Sequence, residues 1–193
     1  EGSFPFQERD EPYQEFLLDG RWAKGERGVA NRAQLLGLNI RLDETVLDLG
    51  CCTGGFLLYA AAHHAPEMCI GLDSQREFIA LARRLARANG LNICYRQVDL
   101  ANTKFEQGET YAWLQQAFPR GVDHLLCLSM GKHLGENLMW WWIDRIGAKH
   151  TYLETNAVKD APYPFSAGVS QRGGYHLGFT HDRNKRAIYR IDR

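Results

Sequence analysis

The sequence lacks the patterns that mark several common classes of protein. Its five cysteines include no Cys-x-x-Cys pair, which argues against a zinc site or a disulfide framework and predicts buried thiols in a reducing compartment. No apolar run is long enough to cross a bilayer, and the first ten residues do not follow the charged-then-apolar pattern of a signal peptide. Together these absences predict a cytoplasmic chain without a membrane span.

Charge of one sign is not in excess either. Lys and Arg together number 23, as do Asp and Glu, so the formal net charge is +0. A balanced charge gives no argument for general binding to nucleic acid. Basic residues do concentrate between positions 172 and 193, and the favoured interpretation of that segment is a solvated face of a hairpin.

Three nucleotide-binding or hydrolytic motifs are also missing. No glycine-rich loop ends in Lys followed by Ser or Thr, which a P-loop needs for phosphate and magnesium. In a dinucleotide fingerprint aligned from Gly50, the second glycine would fall at position 52, which is Cys52; a hydride-transfer cofactor is therefore disfavoured but stays an alternative. No Gly-x-Ser-x-Gly elbow indicates a hydrolase.

The first two-thirds of the chain alternate apolar runs with stretches of helical periodicity. The runs predict strands at Thr45–Leu49, Met68–Leu72, Ile93–Gln97, His124–Leu128 and His150–Leu153. The stretches between them predict helices at Gly55–His63, Gln75–Asn89, Tyr111–Ala117 and Asn137–Ile146. This alternation predicts an α/β fold with a doubly wound, mostly parallel sheet of about seven strands and helices on both faces.

The two ends of the chain follow other patterns. Residues 174–180 and 186–191 predict two strands joined by a short polar turn, a C-terminal antiparallel β-hairpin on the edge of the sheet. One or two helices are predicted near the start, around Pro12–Leu18 and Arg27–Leu36. The prediction is thus one domain over residues 1–193, with a helical lid (1–40), a cofactor-binding core (41–154), and a loop with one short helix leading to the hairpin (155–193).

The stretch DLGCCTGG carries the first chemical signal. Asp48 stands two positions before Gly50, where an acid is awkward beside pyrophosphate but suits a cationic ligand. The stretch resembles the first motif of class I S-adenosylmethionine-dependent methyltransferases, often VLDLGCGTG. CIGLDS, with Asp73, resembles the second motif, and YRQVDLA, with Asp99 and Leu100, resembles the third. The acids are each about one βα unit apart, which predicts that all three lie at the carboxyl ends of neighbouring strands.

The resemblance implies S-adenosylmethionine as cofactor and a set of binding residues. In that family the second acid binds the ribose hydroxyls, here Asp73, and the third motif meets the adenine, here Asp99 and Leu100. The residues expected at the cofactor are Asp48, Gly50, Cys51, Gly54, Asp73, Ser74, Asp99, Leu100 and Ser129. The chain departs from the family pattern at Cys52, which affects the expected geometry near the methionine end. No metal site is predicted, because His63 and His64 are adjacent on a helix and point to different faces.

The segment HLLCLSMGKHLGEN follows the fourth strand, where this family usually places its acceptor groups. It contains no [DN]-P-P-[YFW] motif, so planar amino nitrogens of adenine, cytosine or glutamine are disfavoured acceptors. His133 is the candidate general base, with a helix-start residue bonded to backbone as the alternative. Lys132 is the candidate partner of an anionic substrate. After the fifth strand, Glu154 and Asn156 are predicted either to contact the acceptor or to cap a loop.

The amino-terminal segment supplies candidates for a lid over the cofactor. The candidates, for which ordinary surface packing is the alternative, are Tyr13, Trp22, Arg27 and Arg32. The three consecutive tryptophans Trp140, Trp141 and Trp142 could stack on bases. Because they point in three directions on a helix, packing in the core is the favoured role.

The sequence therefore predicts a methyltransferase that uses S-adenosylmethionine and acts by direct displacement on a small-molecule hydroxyl, carboxyl or amine. Nucleic acid is the less favoured partner. The alternatives are an RNA- or tRNA-modifying enzyme of the same fold, a cofactor-binding domain without catalysis, and a nicotinamide oxidoreductase. The site is expected to be open, or to be completed by a partner chain.

Overall fold

The computed structural model describes residues 14–25, 27–102, 104–156, 165–181 and 185–193, without the side chains of 104–107. The strands are β1 (Phe16–Leu18), β2 (Arg21–Ala23), β3 (Thr45–Leu49), β4 (Met68–Asp73), β5 (Cys94–Gln97), β6 (His124–Leu128), β7 (His150–Glu154), β8 (Tyr175–Phe179) and β9 (Ala187–Asp192). The helices are α1 (Val29–Leu36), α2 (Gly55–His63), α3 (Arg76–Ala88), α4 (Lys104–Ala117), α5 (Gly131–Leu134), α6 (Glu136–Ile146) and α7 (Phe165–Gln171).

Seven strands form one sheet in the order β5-β4-β3-β6-β7-β9-β8. The first five in that order run parallel to their neighbours, whereas β9 pairs antiparallel with both β7 and β8. The predicted doubly wound sheet with a closing antiparallel hairpin is confirmed. Strand order reverses between β3 and β6, which is where open α/β sheets bind ligands.

The sheet separates two apolar cores. On one face α1, α2 and α3 bury side chains such as Leu36, Leu57 and Leu85. On the other face α4, α6 and α7 bury side chains such as Trp142 and Phe165. Because β3 and β6 are covered on both faces, their sequences are continuous apolar runs, interrupted mainly by polar residues near the strand ends.

Helix α3, beside the cavity described below, follows the helical periodicity of its sequence. Its buried residues Ile79, Ala82, Leu85 and Ala86 recur at three- and four-residue spacings and form one apolar stripe,. The helix ends at Ala88, two residues before a glycine in the left-handed region. The predicted helix Gln75–Asn89 is thus confirmed to within one residue at each end.

The predicted helix at Pro12–Leu18 is wrong where the structure describes it. Phe16–Leu18 is strand β1, paired antiparallel with β2 so that Phe16 lies opposite Ala23. Asp19 and Gly20 both have positive φ, 49° and 73°, as a two-residue hairpin turn of type I′ requires. This Asp-Gly pair is a hairpin signal that outweighs the helical periodicity. The second predicted helix, over Arg27–Leu36, is confirmed as α1.

Two of the three consecutive tryptophans pack in the core, which is the role that the sequence favours. Trp142 is fully buried, and its indole N–H donates to the carbonyl oxygen of Leu100 at 3.2 Å. Trp140 is buried and donates to a carboxylate oxygen of Glu136 at 3.0 Å. Trp141 remains 38% exposed. Two of the three side chains therefore belong to the core and are not available to stack on a base.

Two expectations about exposure need correction. Cys51, Cys69 and Cys127 are buried as predicted, but Cys94 is exposed. The basic segment is not simply a solvated face, because Arg186 is buried. Arg172 and Arg193 pair with Asp144 on α6, and Arg190 pairs with Asp192 on its own strand β9. Arg183 lies outside the described residues. Within the described ranges no helix is long and apolar enough to cross a membrane.

Candidate functional site

A cavity of about 370 Å³ opens at the carboxyl ends of β3, β4, β5 and β6. The predicted site residues that line it are Asp48, Gly50, Cys51, Asp73, Ser74, Asp99, Leu100, Ser129 and His133. Two predicted site residues, Gly54 and Lys132, do not line it. The structure thus brings the three motifs together at one edge of the sheet, as their spacing along the chain predicts.

The turn after β3 forms one wall of the cavity. The backbone N–H of Gly50 donates to the carbonyl of Leu72 at 2.8 Å, which ties the turn to β4. Gly50 has a φ of 72°, and a Cβ there would lie 2.0 Å from the sulfur of Met130. Cys52, where the family usually has glycine, also has a positive φ of 52°. That conformation costs about 1 kcal/mol or more for a residue with a side chain, so the departure is accommodated as local strain.

Gly54 does not line the cavity and has a structural role instead. Its φ is 79°, and a Cβ there would lie 2.2 Å from the hydroxyl oxygen of Tyr95. That hydroxyl donates to the carbonyl of Gly54 at 3.3 Å. The close approach places the start of α2 against β5 and fixes the far end of the turn.

Asp48 lies beneath the cavity and is 3% exposed. Burial raises the pKa of its carboxyl group well above the ordinary value, and the negative charge of Asp73 raises it further, while Arg32 opposes the shift. A cationic or hydrogen-bond-donating ligand group beside Asp48 would compensate this burial.

Asp73 joins the turn to the start of α3. Its Oδ2 accepts a hydrogen bond from the backbone N–H of Cys52 at 2.8 Å, and its Oδ1 accepts one from Gln75 at 2.9 Å. Each carboxylate oxygen has a second lone pair, so these bonds leave acceptor capacity toward the cavity. Asp99 is exposed at the rim, where its carboxylate accepts from the backbone N–H of Ala101, and the neighbouring Leu100 is buried.

Glu154, at the end of β7, is the centre of what we term the arginine–glutamate cluster, comprising Glu154, Ser129, Arg27, Arg32 and Arg186. Arg27 donates to Oε1 of Glu154, and Arg32 donates to Oε2 at 2.8 Å. Arg186 pairs with Oε1 at 3.2 Å and donates to the hydroxyl of Ser129 at 2.6 Å, which in turn donates to Glu154 at 2.7 Å. Burial alone would raise the pKa of Glu154, but the arginines lower it to about 2.

The cluster reaches the cavity through Arg27, Arg32 and Ser129. Arg32 also lies over the ring of Phe56, with its guanidinium carbon 4.6 Å from the ring centroid,. Ser129 has a φ of 63°, a strained conformation that its bonds to Glu154 hold in place,. The predicted guanidinium part of a lid therefore lies at the cavity. Trp22 packs on Tyr59 instead, at 6.1 Å between ring centroids, and Tyr13 lies outside the described residues.

Comparisons with known proteins agree with this architecture. A family described as "Methyltransferase domain" matches residues 46–119. A ubiquinone biosynthesis O-methyltransferase of Actinobacillus pleuropneumoniae is 33% identical over 48% of this chain and 36% of its own length. The structure of M. capricolum TrmK with S-adenosylhomocysteine has a TM-score of 0.56 and 13% identity, over 82% of this chain and 66% of that one. An rRNA methylase structure from Streptococcus thermophilus has a TM-score of 0.60 and 11% identity, over 84% and 93%.

Residues 46–119 thus match a methyltransferase domain, and the chain shares the fold of these methyltransferase structures. It spans less than half the length of the curated relatives it matches. The match to a methyltransferase domain argues against the nicotinamide oxidoreductase alternative.

The segment after β6 forms part of the wall of the cavity. His133, on the short helix α5, is exposed and lines the cavity. The backbone N–H of Lys132 donates to the side-chain oxygen of Asn156 at 3.0 Å, and the Asn156 amide donates to the carbonyl of Ser129 at 3.2 Å. Asn156 therefore serves the loop-capping role that was one of its two predicted alternatives.

Several residues of the cavity were not predicted from the sequence. Phe56 and Phe78 line it from α2 and α3, and Met130 closes over the glycine turn. Gln14 also lines it, with its side-chain oxygen 3.5 Å from the hydroxyl of Thr53. The position of Phe56 just after the glycine turn could have indicated it. Gln14 carries no such signal, because it reaches the cavity only through the pairing of its segment with Arg27. Among the described residues no group of three His, Cys, Asp or Glu could hold a metal ion.

Proposed function

We propose that this protein methylates a small molecule, with S-adenosylmethionine as the methyl donor and a hydroxyl, carboxyl or amine as the acceptor. The observation that carries the proposal is that three carboxyl side chains, Asp48, Asp73 and Asp99, line one cavity at the switch point of the sheet. That arrangement suits a nucleoside that also carries a cationic centre.

The residues present fit such a donor. Asp48 is a buried carboxyl whose raised pKa a donor ammonium group would offset,. Asp73 has acceptor capacity for ribose hydroxyls, and Asp99 with Leu100 would meet the adenine. Phe78, 40% exposed at the cavity, offers an aromatic wall to the base. The bound donor would supply an electrophilic methyl group on a sulfonium.

The chain's own groups would then orient the acceptor and take its proton. His133 is the imidazole side chain at the open rim, where a hydroxyl or amine acceptor would enter. General-base assistance of this kind contributes about 10²–10⁴-fold to a rate, and the apolar walls Phe56 and Met130 exclude water,.

Three observations support a small acceptor over RNA. The cavity volume of about 370 Å³ lies in the range of small-molecule sites,. The curated relative is named for ubiquinone biosynthesis. Arg172, Arg190 and Arg193, from the basic segment, pair with Asp144 or Asp192 within the chain, and such pairing reduces their contribution to a phosphate-binding surface.

Titration calorimetry with S-adenosylhomocysteine tests the cofactor part. The wild-type protein should bind it, and Asp73→Asn should bind it at least ~10-fold more weakly, because hydrogen bonds to a charged group are lost. His133→Ala should retain that affinity while losing ~10²-fold or more in turnover, measured by transfer of a labelled methyl group to a panel of phenols, carboxylic acids and amines. His181→Gln, an exposed histidine, is the matched control.

Two outcomes would redirect the proposal. Labelling of RNA but of no small molecule, with RNA affinity that falls steeply as salt rises, would favour the RNA-modifying alternative. Binding of S-adenosylhomocysteine with no labelled product from any acceptor would favour a domain without catalysis.

A further inference from the structure

A buried glutamine, Gln14, lines the cavity. Its Oε1 lies 3.5 Å from the hydroxyl of Thr53, which is long for a hydrogen bond between these groups,. Its amide nitrogen Nε2 donates to no described residue. The nitrogen nevertheless keeps accessible surface, although the side chain as a whole is only 9% exposed. Buried polar groups normally have a partner, and a ligand in the cavity is in a position to supply one here.

The segment that carries Gln14 is fixed by backbone contacts. The backbone N–H of the next residue, Glu15, donates to the carbonyl of Arg27 at 3.0 Å, and Oε2 of Glu15 accepts from the N–H of Val29 at 2.6 Å. A Cβ at Gly25 would lie 2.5 Å from the carbonyl carbon of Gln14, so the two backbones approach more closely than a side chain would allow. Because this segment is already ordered, little entropy is lost when a ligand meets it.

The amide of Gln14 lies against the start of the nine-residue helix α2. A Cβ on Gly55, the first residue of that helix, would lie 3.1 Å from the amide carbon. The first turn of a helix has N–H groups without partners inside the helix, and it carries partial positive charge. No side chain caps this helix at Gly54, and Phe56 in its first turn lines the cavity. A free amide N–H and a positive helix end both favour an anionic group.

Asp48 supplies the opposite chemistry in the same cavity. Its carboxyl is 3% exposed and suits an ammonium group,. A ligand whose ammonium and carboxylate share one carbon, as in the amino-acid part of S-adenosylmethionine, needs both kinds of partner. Arg27 and Arg32 also line the cavity, but both of them bond to Glu154. The amide N–H of Gln14 has no such bond.

We propose that Gln14 binds the methyl donor, with Nε2 donating to the carboxylate of the donor's amino-acid part at the start of α2. This inference rests on the proposed function and adds a binding residue that lies outside the three sequence motifs. Asp48 binds the ammonium of the same amino-acid part. Gln14 thereby makes the site selective for nucleosides that carry a carboxylate.

Titration calorimetry with three nucleosides tests this inference on the full chain. S-Adenosylhomocysteine has both charged groups, decarboxylated S-adenosylhomocysteine keeps only the ammonium, and 5′-methylthioadenosine has neither. The wild-type protein should bind S-adenosylhomocysteine ~10-fold or more tightly than the decarboxylated compound. Gln14→Ala should weaken S-adenosylhomocysteine ~10- to 100-fold, the loss expected for a hydrogen bond to a charged group, and should leave the other two affinities nearly unchanged.

A second substitution checks which end of the amide meets the ligand. Gln14→Glu keeps the size of the side chain but places a negative charge beside the carboxylate of the ligand. It should therefore bind S-adenosylhomocysteine more weakly than Gln14→Ala does. Gln116→Ala is the matched control, because Gln116 is an exposed glutamine on α4, and it should bind all three nucleosides as the wild type does.

Every other pattern of affinities overturns the inference. One such pattern is a wild-type protein that does not distinguish S-adenosylhomocysteine from its decarboxylated form. Another is a Gln14→Ala variant that keeps the wild-type preference for the carboxylate, or that weakens all three nucleosides equally, as a purely structural role would. Tighter binding of S-adenosylhomocysteine by Gln14→Glu than by Gln14→Ala would assign the residue to the ammonium instead.

Near-ultraviolet circular dichroism checks that the variants fold. Gln14→Met, which keeps the length of the side chain without its N–H groups, replaces Gln14→Ala if that variant does not fold. A wild-type protein that binds none of the three nucleosides would refute the proposed function itself, whereas loss of the carboxylate preference alone would refute only the role of Gln14.

Discussion

Replacement of Glu154 by glutamine should destabilise the protein more than any comparable change at its surface. The substitution keeps the size of the side chain but leaves Arg27, Arg32 and Arg186 around a neutral amide at a site that is 1% exposed. Removing one partner from a buried ion pair typically costs about 3–5 kcal/mol. The pKa gives a similar figure, since a shift from 4.5 to about 2 corresponds to about 3 kcal/mol of stability from the ionised form,.

The pH dependence of that loss follows from the sign of the shift. The pKa of Glu154 is lower in the folded protein than in the unfolded chain, so the unfolded chain takes up the proton first as the pH falls,. The stabilisation is therefore fully present above a pH of about 4.5 and is lost as the pH falls toward about 2,. The stability difference between wild type and Glu154→Gln should shrink across this window.

Urea denaturation at a series of pH values, followed by circular dichroism, measures both effects. Glu67→Gln is the control, because Glu67 is 46% exposed and pairs with the exposed Arg120. Such a surface pair contributes about 1 kcal/mol or less. A loss below about 1 kcal/mol for Glu154→Gln at neutral pH, or a difference from wild type that stays constant down to about pH 3, would refute the reasoning.

Three further predictions concern the cavity and the core. Asp73→Ala should unfold at lower urea concentration and lose S-adenosylhomocysteine affinity together, because one carboxylate serves both the turn and the cavity; unchanged values by denaturation and calorimetry would contradict this. Gly54→Ala should cost about 2–4 kcal/mol from positive φ and a clash with a buried tyrosine,. Gly121→Ala, with a φ of 87° but open space around it, should cost about 1 kcal/mol,, and equal losses would show that the clash is unimportant. Trp142→Ala should cost about 3–5 kcal/mol and Trp141→Ala about 1 kcal/mol or less, measured by urea denaturation; a reversed order would contradict the burial of Trp142.

The sheet and the three carboxyl groups of the site could be predicted from local sequence patterns. Apolar runs and helical stretches of βα length specify parallel strands, and parallel strands must bring their carboxyl ends to one edge. Asp48, Asp73 and Asp99 follow from that rule, since each stands at or just after the end of a strand. These features depend on contacts between neighbouring units, so local periodicity and motif spacing are sufficient to predict them.

The arginine–glutamate cluster could not be predicted from the sequence, because it forms only through the packing of the folded chain. Arg27 and Arg32 lie 127 and 122 residues from Glu154 along the chain, and Arg186 lies 32 residues beyond it. No local pattern relates residues at such separations, and the arginines belong to segments that the sequence assigned to a lid and to a solvated hairpin face. Their partner is set by how the amino-terminal segment and β9 pack on the end of β7. The physical reason is burial: a charged side chain that packing removes from water must find an opposite charge there.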